Sequence, residues 1–156
     1  MPDSRSTARA KRTVAQPTLL YVIKQVELAV RARLDEIVRP AGISTLQYTA
    51  LTVLERHPDL SSAQLARNSF VTAQSMADMV VALEGRGLIE RHRDPQDRRR
   101  LVLALTRDGQ RLLDRYRAKV AALEVEMLAD LTPRQAAELR RGLVACRAAL
   151  AEHPPH

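Results

Sequence analysis

Apolar side chains return along this chain at helical spacing, with one interruption. Leu19, Ile23, Val26, Val30, Leu34 and Ile37 recur every three or four residues, which places them on one face of a long helix. Pro40 and Gly42 end it. The next three helices are each announced by a Ser or Thr that can satisfy the free N–H groups of a first turn. In "ISTLQY", Ser44 and Gln47 make a reciprocal capping box and Ile43 and Tyr48 a flanking apolar staple, predicting a helix to about His57, before Pro58. In "LSSAQL", Ser61 and Gln64 form the box and Leu60 and Leu65 the staple of a short helix ending near Asn68. In "VTAQSM", Thr72 is the cap, and Val71 and Met76 the staple. That helix buries Met76, Met79, Val80 and Leu83, and Gly87 terminates it. The intervening junction "RNSFV" has no glycine, so Asn68 is assigned the left-handed position there.

After Gly87 the period shortens to two. Leu101, Leu103 and Leu105 alternate with Val102 and Ala104, and "LIERHR" and "RLVLAL" flank a polar centre. Two antiparallel strands follow, with a turn at Asp94–Asp97 and Arg98 and Arg99 at the tip. Thr106 caps a long helix whose stripe is Leu112, Tyr116, Val120, Leu123, Met127 and Leu131. In "LTPRQ", Thr132 caps the last helix, Pro133 occupies its first turn and Gln135 completes the box. Leu139, Leu143, Cys146 and Leu150 form its stripe. The fold class is mainly α with a small β-hairpin, and three short helices followed by a hairpin make a winged helix-turn-helix. The expected organisation is a disordered basic tail at 1–17, a helix segment at 18–42, the winged helix-turn-helix at 43–106, two long helices at 107–151 and a frayed tail at 152–156.

Charge narrows the partner. Lys and Arg number 25 against 18 acids, a net +7, which favours a polyanion: nucleic acid or an anionic membrane surface. Arginine-rich codon usage is the bland alternative. No run approaches the ~18 apolar residues of a membrane span, and the N-terminus has no apolar signal-peptide core. A single cysteine, Cys146, gives no internal disulfide. A cytoplasmic protein is expected, with no membrane partner.

In a helix-turn-helix the second helix of the pair enters the DNA major groove, with its N-terminal residues at base edges. Here those positions hold Thr72, Ala73, Gln74, Ser75 and Asp78, opposite the apolar face. Gln pairs with adenine, and Ser and Thr with several base edges. Thr72 as a cap alone, and Asp78 as a solvated or Arg-paired side chain, are the competing readings. Just beyond lies "RHRDPQDRRR", with five arginines and two aspartates in ten residues. A hairpin tip bearing Arg98 and Arg99 suits a narrow minor groove, where negative potential is focused. Asp97 fits if it shapes the turn and orients one arginine through a charge-assisted contact. The competing reading is a solvated loop with internal ion pairs, each contributing ~0–1 kcal/mol.

The stretch "LARNSFVTAQSMADMVVALEGRGLIERHRDPQDRRRLVLALTRDG" resembles the MarR family of bacterial transcription regulators, and the resemblance extends over roughly residues 18–150. The matching features are Leu65-Ala66, Thr72, Leu83, Gly87-Leu88, Arg91, Asp97 with Arg99, and Leu105-Thr106-x-x-Gly109. The resemblance implies a transcriptional regulator, most often a repressor, with Gln74 and Ser75 in the major groove, Arg99 in the minor groove and Asp97 holding Arg99. It also implies a homodimer with intertwined first and last helices, making 18–42 and 107–151 the dimerisation helices. The Leu-rich stripes there independently need cover from a second chain or from the same core. Two recognition helices one DNA turn apart, ~34 Å, read an inverted-repeat operator. Many relatives bind a small aromatic acid in a crevice between dimer helices and DNA-binding lobe; Tyr21, Lys24 and Tyr48 are the candidates for lining it, Lys24 meeting the carboxylate.

Other chemistry has little footing. Cys146 lies on an apolar stripe, whereas peroxide-sensing relatives place their cysteine near the first helix. His57, His92, His153 and His156 are scattered, so no metal site is expected. There is no phosphate loop, nucleophile elbow or paired-carboxylate constellation, hence neither an enzyme nor a cofactor. The alternative function is a helical dimeric protein-interaction module whose winged helix does not read DNA. Apolar residues in place of Thr72, Gln74 and Ser75 would favour that alternative, and the sequence has none there.

Overall fold

The computed structural model describes residues 15–69 and 71–151. Most of the tail expected at 1–17, and all of that at 152–156, lies outside the described residues. In chain order the elements are α1 (Leu19–Val38), a 3-10 turn (Arg39–Ala41), α2 (Thr45–Arg56), α3 (Ser62–Asn68), α4 (Ala73–Gly85), β1 (Ile89–Arg93), β2 (Leu101–Leu105), α5 (Arg107–Met127) and α6 (Pro133–Ala151). This is the mainly α fold with a two-stranded antiparallel hairpin expected of a winged helix-turn-helix.

Local hydrogen bonding sets the helix starts. Ser44 accepts from the Gln47 N–H while the Gln47 side chain accepts from the Ser44 N–H, and Ser61 and Gln64 repeat the exchange. Thr132 and Gln135 do the same before α6. Thr18, Thr72 and Thr106 cap α1, α4 and α5 through single side-chain bonds. The staple residues Ile43, Tyr48, Leu65 and Met76 are all buried.

The core lies between α2, α3, α4, the hairpin and the first half of α5. Leu51, Leu54, Leu65, Met76, Leu83, Ile89 and Leu113 are fully buried in it. α4 ends in a Schellman arrangement. The Leu88 N–H donates to Leu83 O (3.0 Å) and the Gly87 N–H to Glu84 O (2.9 Å), with Gly87 left-handed at φ 68° and Leu88 packed with Leu83 in the core. The start of α5 fits directly against this turn. Thr106 donates its backbone N–H to Leu88 O (3.2 Å) and its hydroxyl to Gly87 O (2.5 Å). Gly109, one turn into α5, passes so close that a Cβ there would stand 2.1 Å from the Leu88 carbonyl oxygen.

Three sequence expectations are corrected. Asn68 is not left-handed; among the described residues the one non-glycine with positive φ is Asp59, at 63°. α3 instead closes with Ser69 in an ordinary region, its N–H shared between Leu65 O and Ala66 O. The hairpin turn is not at Asp94–Asp97 but at Asp97–Arg100, closed by the Arg100 N–H on Asp97 O (2.9 Å). β2 does not alternate cleanly, since Val102 and Leu103 are both buried and Leu101 is exposed. The physical reason is a further contact: the Leu103 N–H donates to Leu60 O (2.8 Å), so the α2–α3 connection covers the other edge of β2.

The long helices join this body through Val38 of α1 and Leu112, Leu113 and Tyr116 of α5 in the core, and through polar contacts. Asp35 on α1 accepts from the Thr45 hydroxyl (2.5 Å) and backbone N–H (2.9 Å), and these bonds hold its carboxyl below the usual range. Arg33 makes a two-pronged contact with Glu126 on α5 (3.0 and 2.8 Å). Arg117 on α5 bonds Glu55 on α2 (2.5 Å) and Asp114 (3.0 Å), and Gln110 also donates to Glu55 (2.8 Å). Much apolar surface is left over. Leu19, Leu20 and Val26 on α1, Val125 and Met127 on α5, and Leu139, Leu143 and Leu150 on α6 are all exposed, and α6 buries no residue.

The Glu55 cluster gives a pH signature. Hydrogen bonds from Arg117 and then Gln110 hold its carboxyl below the ordinary value of 4.5. A carboxylate with a depressed folded-state pKa adds stability above its unfolded value, and that stability is lost as pH falls through the folded value. The melting temperature should therefore drop more steeply below about pH 4.5 in the wild type than in Glu55→Gln. Parallel pH–melting curves would remove Glu55 from this role.

Candidate nucleic-acid interface

α4 presents two opposed faces. Met76, Val80 and Leu83 are buried, while Thr72, Ala73, Gln74, Ser75, Ala77, Asp78 and Val81 are exposed. The helical period dictates this split once the core claims the apolar side. Thr72 uses its hydroxyl twice, accepting from the Ser75 N–H (3.1 Å) and donating to Ser75 Oγ (3.0 Å). It both caps α4 and orients the serine. Gln74 donates from Nε2 to Asp78 Oδ1 (3.2 Å), one turn further on. Asp78 therefore pairs with a glutamine, not with an arginine.

The arginines of the 91–100 run divide into two groups. Arg91 bonds Glu84 of α4 (3.2 Å), and Arg93 donates to the Arg98 carbonyl (2.8 Å). Arg100 contacts Gln64 in the first turn of α3 and lies 3.8 Å from Asp94. These three fasten the wing to itself and to the helix pair. Arg98 and Arg99 occupy the turn, are exposed, and make no side-chain hydrogen bond or ion pair with any described residue. Asp97 accepts the Arg99 backbone N–H at 3.0 Å, and Asp94 likewise accepts from Gln96 at 2.9 Å. The carboxylate-to-guanidinium contact expected between Asp97 and Arg99 is absent among the described residues. Asp97 acts on the backbone, because a side chain two residues back reaches the turn N–H without leaving the loop.

Sequence reading missed the anchoring role of Arg100 and the exposure of Val81, 62 % accessible in the middle of α4. The first depends on a partner 36 residues away. The second was legible from the helical period, since Val81 lies opposite the buried stripe.

No described hydrogen bond or ion pair joins the proposed ligand residues to one another. Tyr21 is exposed on α1, and Lys24 pairs with Glu27 (3.2 Å). Tyr48 is buried at its staple position, and burial pushes its hydroxyl pKa up. Neither of two described clefts includes them. One, of about 250 Å³, lies between α5 and α6 and is lined by Met127, Leu139, Arg140 and Leu143. The other, of about 240 Å³, lies between α1 and α5 and is lined by Val26, Val30, Arg33 and Leu123. Cys146 is exposed, not buried in its stripe. Among the described residues no three His, Cys, Asp or Glu side chains converge as a metal site, and no helix is long and apolar enough to cross a membrane.

Known proteins share this arrangement. The model of the MarR family matches residues 41–100, from the 3-10 turn before α2 to the end of the hairpin turn. The HTH-type transcriptional repressor Rv2887 of Mycobacterium tuberculosis is 33% identical over 123 residues, covering 79% of this chain and 88% of the relative. A crystal structure of the Mycobacterium tuberculosis MarR family protein Rv2887 in complex with salicylic acid superposes with a TM-score of 0.67 at 32% identity, over 84% of this chain and 97% of that one. A structure of the transcriptional repressor CouR bound to a 23-mer DNA duplex gives a TM-score of 0.68 at 30% identity, over 86% and 92% of the two chains.

Proposed function

The chain belongs to the MarR family of transcriptional regulators, and from that premise we propose that it is a homodimeric repressor that reads an inverted-repeat DNA operator and leaves it on binding a small aromatic acid. The observation that carries the DNA reading is the division of labour in the wing. Three arginines are spent on holding the hairpin, Arg98 and Arg99 are exposed at its turn without partners among the described residues, and α4 presents an exposed polar ridge.

In this reading Gln74 and Ser75 meet base edges in the major groove, with Thr72, Ala73 and Asp78 on the same ridge. Arg98 and Arg99 enter the adjacent minor groove, and Asp97 sets the turn that aims them. The segments 18–42 and 107–151 pair with their counterparts, which covers the exposed apolar faces of α1, α5 and α6 and sets two α4 helices ~34 Å apart. Salicylic acid in the Rv2887 complex gives the ligand class. A ligand of this kind releases DNA by binding better to a dimer whose α4 spacing no longer matches the operator. A repressor of this kind works in the cytoplasm, where it meets its operator.

Gel shift against the protein's own upstream region, with excess nonspecific duplex, tests the proposal. Retarded complex that survives competitor and dissociates on adding salicylate is expected. Binding abolished by competitor would leave a merely basic protein.

A further inference from the structure

Asp78 is an unexpected residue on a surface meant to face phosphates. A carboxylate on this ridge is repelled by the DNA backbone, so its presence calls for a compensating use. The structure supplies one: its Oδ1 accepts from Gln74 Nε2 at 3.2 Å, and both side chains are exposed on the same face of α4 one turn apart. We infer that Asp78 is a positioning residue that locks the Gln74 amide in one orientation and thereby makes it select adenine. The inference deepens the operator-reading proposal and rests on it.

The chemistry follows from donors and acceptors. An ionised carboxylate only accepts, so the amide must turn its NH2 towards Asp78 and its Oε1 away. One Nε2 hydrogen is then committed to Asp78. The other, together with Oε1, makes a donor–acceptor edge that matches adenine, which offers N7 as acceptor and N6 as donor in the major groove. A freely flipping amide presents both its hydrogens as readily, and two donors suit guanine N7 and O6. The neighbouring contacts leave this pair undisturbed, because Thr72 and Ser75 are bonded to each other. Among the described residues Asp78 has no arginine or lysine partner to compete for its carboxylate.

Selection of bound sequences from a random duplex library tests this with wild type, Gln74→Ala, Asp78→Ala, Asp78→Asn and the Gln74→Ala/Asp78→Ala double variant. Wild type should enrich an A·T pair at one position of each half-site, by roughly 5- to 150-fold over the other pairs. Gln74→Ala and Asp78→Ala should both flatten that position and no other, and the double variant should add nothing further. Asp78→Asn, which keeps an acceptor oxygen but also allows the reverse pairing, should fall between wild type and Asp78→Ala. Melting temperatures should stay put, a pattern that a merely structural role would not produce. If Asp78→Ala changes a different position, as direct acceptance from a cytosine N4 would, or changes none, the positioning role is overturned. If wild type enriches no sequence, the operator-reading proposal itself has failed, an outcome distinct from either of those.

Discussion

Gly109→Ala should destabilise the protein by about 3 kcal/mol. The added Cβ would stand 2.1 Å from the Leu88 carbonyl oxygen and crowd the Leu105 side chain at 3.2 Å. Backbone stands against backbone at the closer contact, so no rotamer change relieves it. Separation requires breaking the bonds from Thr106 to Gly87 and Leu88, which seat α5 on the end of α4. Chemical denaturation reads the loss, and Gly142→Ala is the matched control. Gly142 lies within α6 with nothing in the same chain near its would-be Cβ, so alanine there should cost nothing within the protomer and add up to ~1 kcal/mol of helix propensity. Equal stabilities for the two variants would show that α5 does not sit as described.

The second large effect is on DNA. Replacing both Arg98 and Arg99 by alanine should weaken operator binding by about 3 kcal/mol or more per dimer, on the order of a hundredfold. The slope of log affinity against log salt should flatten by about two to four, as up to four guanidinium groups per dimer cease to displace counterions. Melting should not change, because neither side chain has a partner among the described residues. Arg100→Ala is the informative contrast: it loses Gln64 and Asp94, so it should lower stability as well as affinity. An operator affinity that survives the double substitution would remove the wing from the proposed interface.

How far the sequence reveals these features depends on how local they are. Ser44, Ser61 and Thr132 form their boxes with residues three positions on, and those boxes are legible because the partners lie in the same turn. The exposed ridge of α4 is legible for the same reason, since Met76, Val80 and Leu83 fix the opposite face. The wing turn is misplaced by the strong signal of Asp94-Pro95. Asp94 does bend the chain, but the hairpin closes three residues later, where Asp97 and Arg100 meet. Asn68 has the right chemistry for a left-handed residue, yet Ser69 closes the helix without one. The contacts of Arg91, Arg93 and Arg100 are opaque in a run of similar residues, because what distinguishes them is Glu84, the Arg98 carbonyl and Gln64 in space. Tyr48 suits a staple or a crevice by residue type alone, and only the packed structure shows that it is buried against the core.

The contact between Leu60 and Leu103 has one further consequence. It closes off one flank of β2, and the other flank is taken by β1. Among the described residues the sheet margin without a strand or bridge partner is thus the outer rim of β1, whose sequence is Ile-Glu-Arg-His-Arg. Exposed Glu90, Arg91 and Arg93 surround that rim with charge, and a foreign strand that docked there would have to strip water from them. Copies of this protein can then meet side by side without their hairpins fusing into a shared sheet.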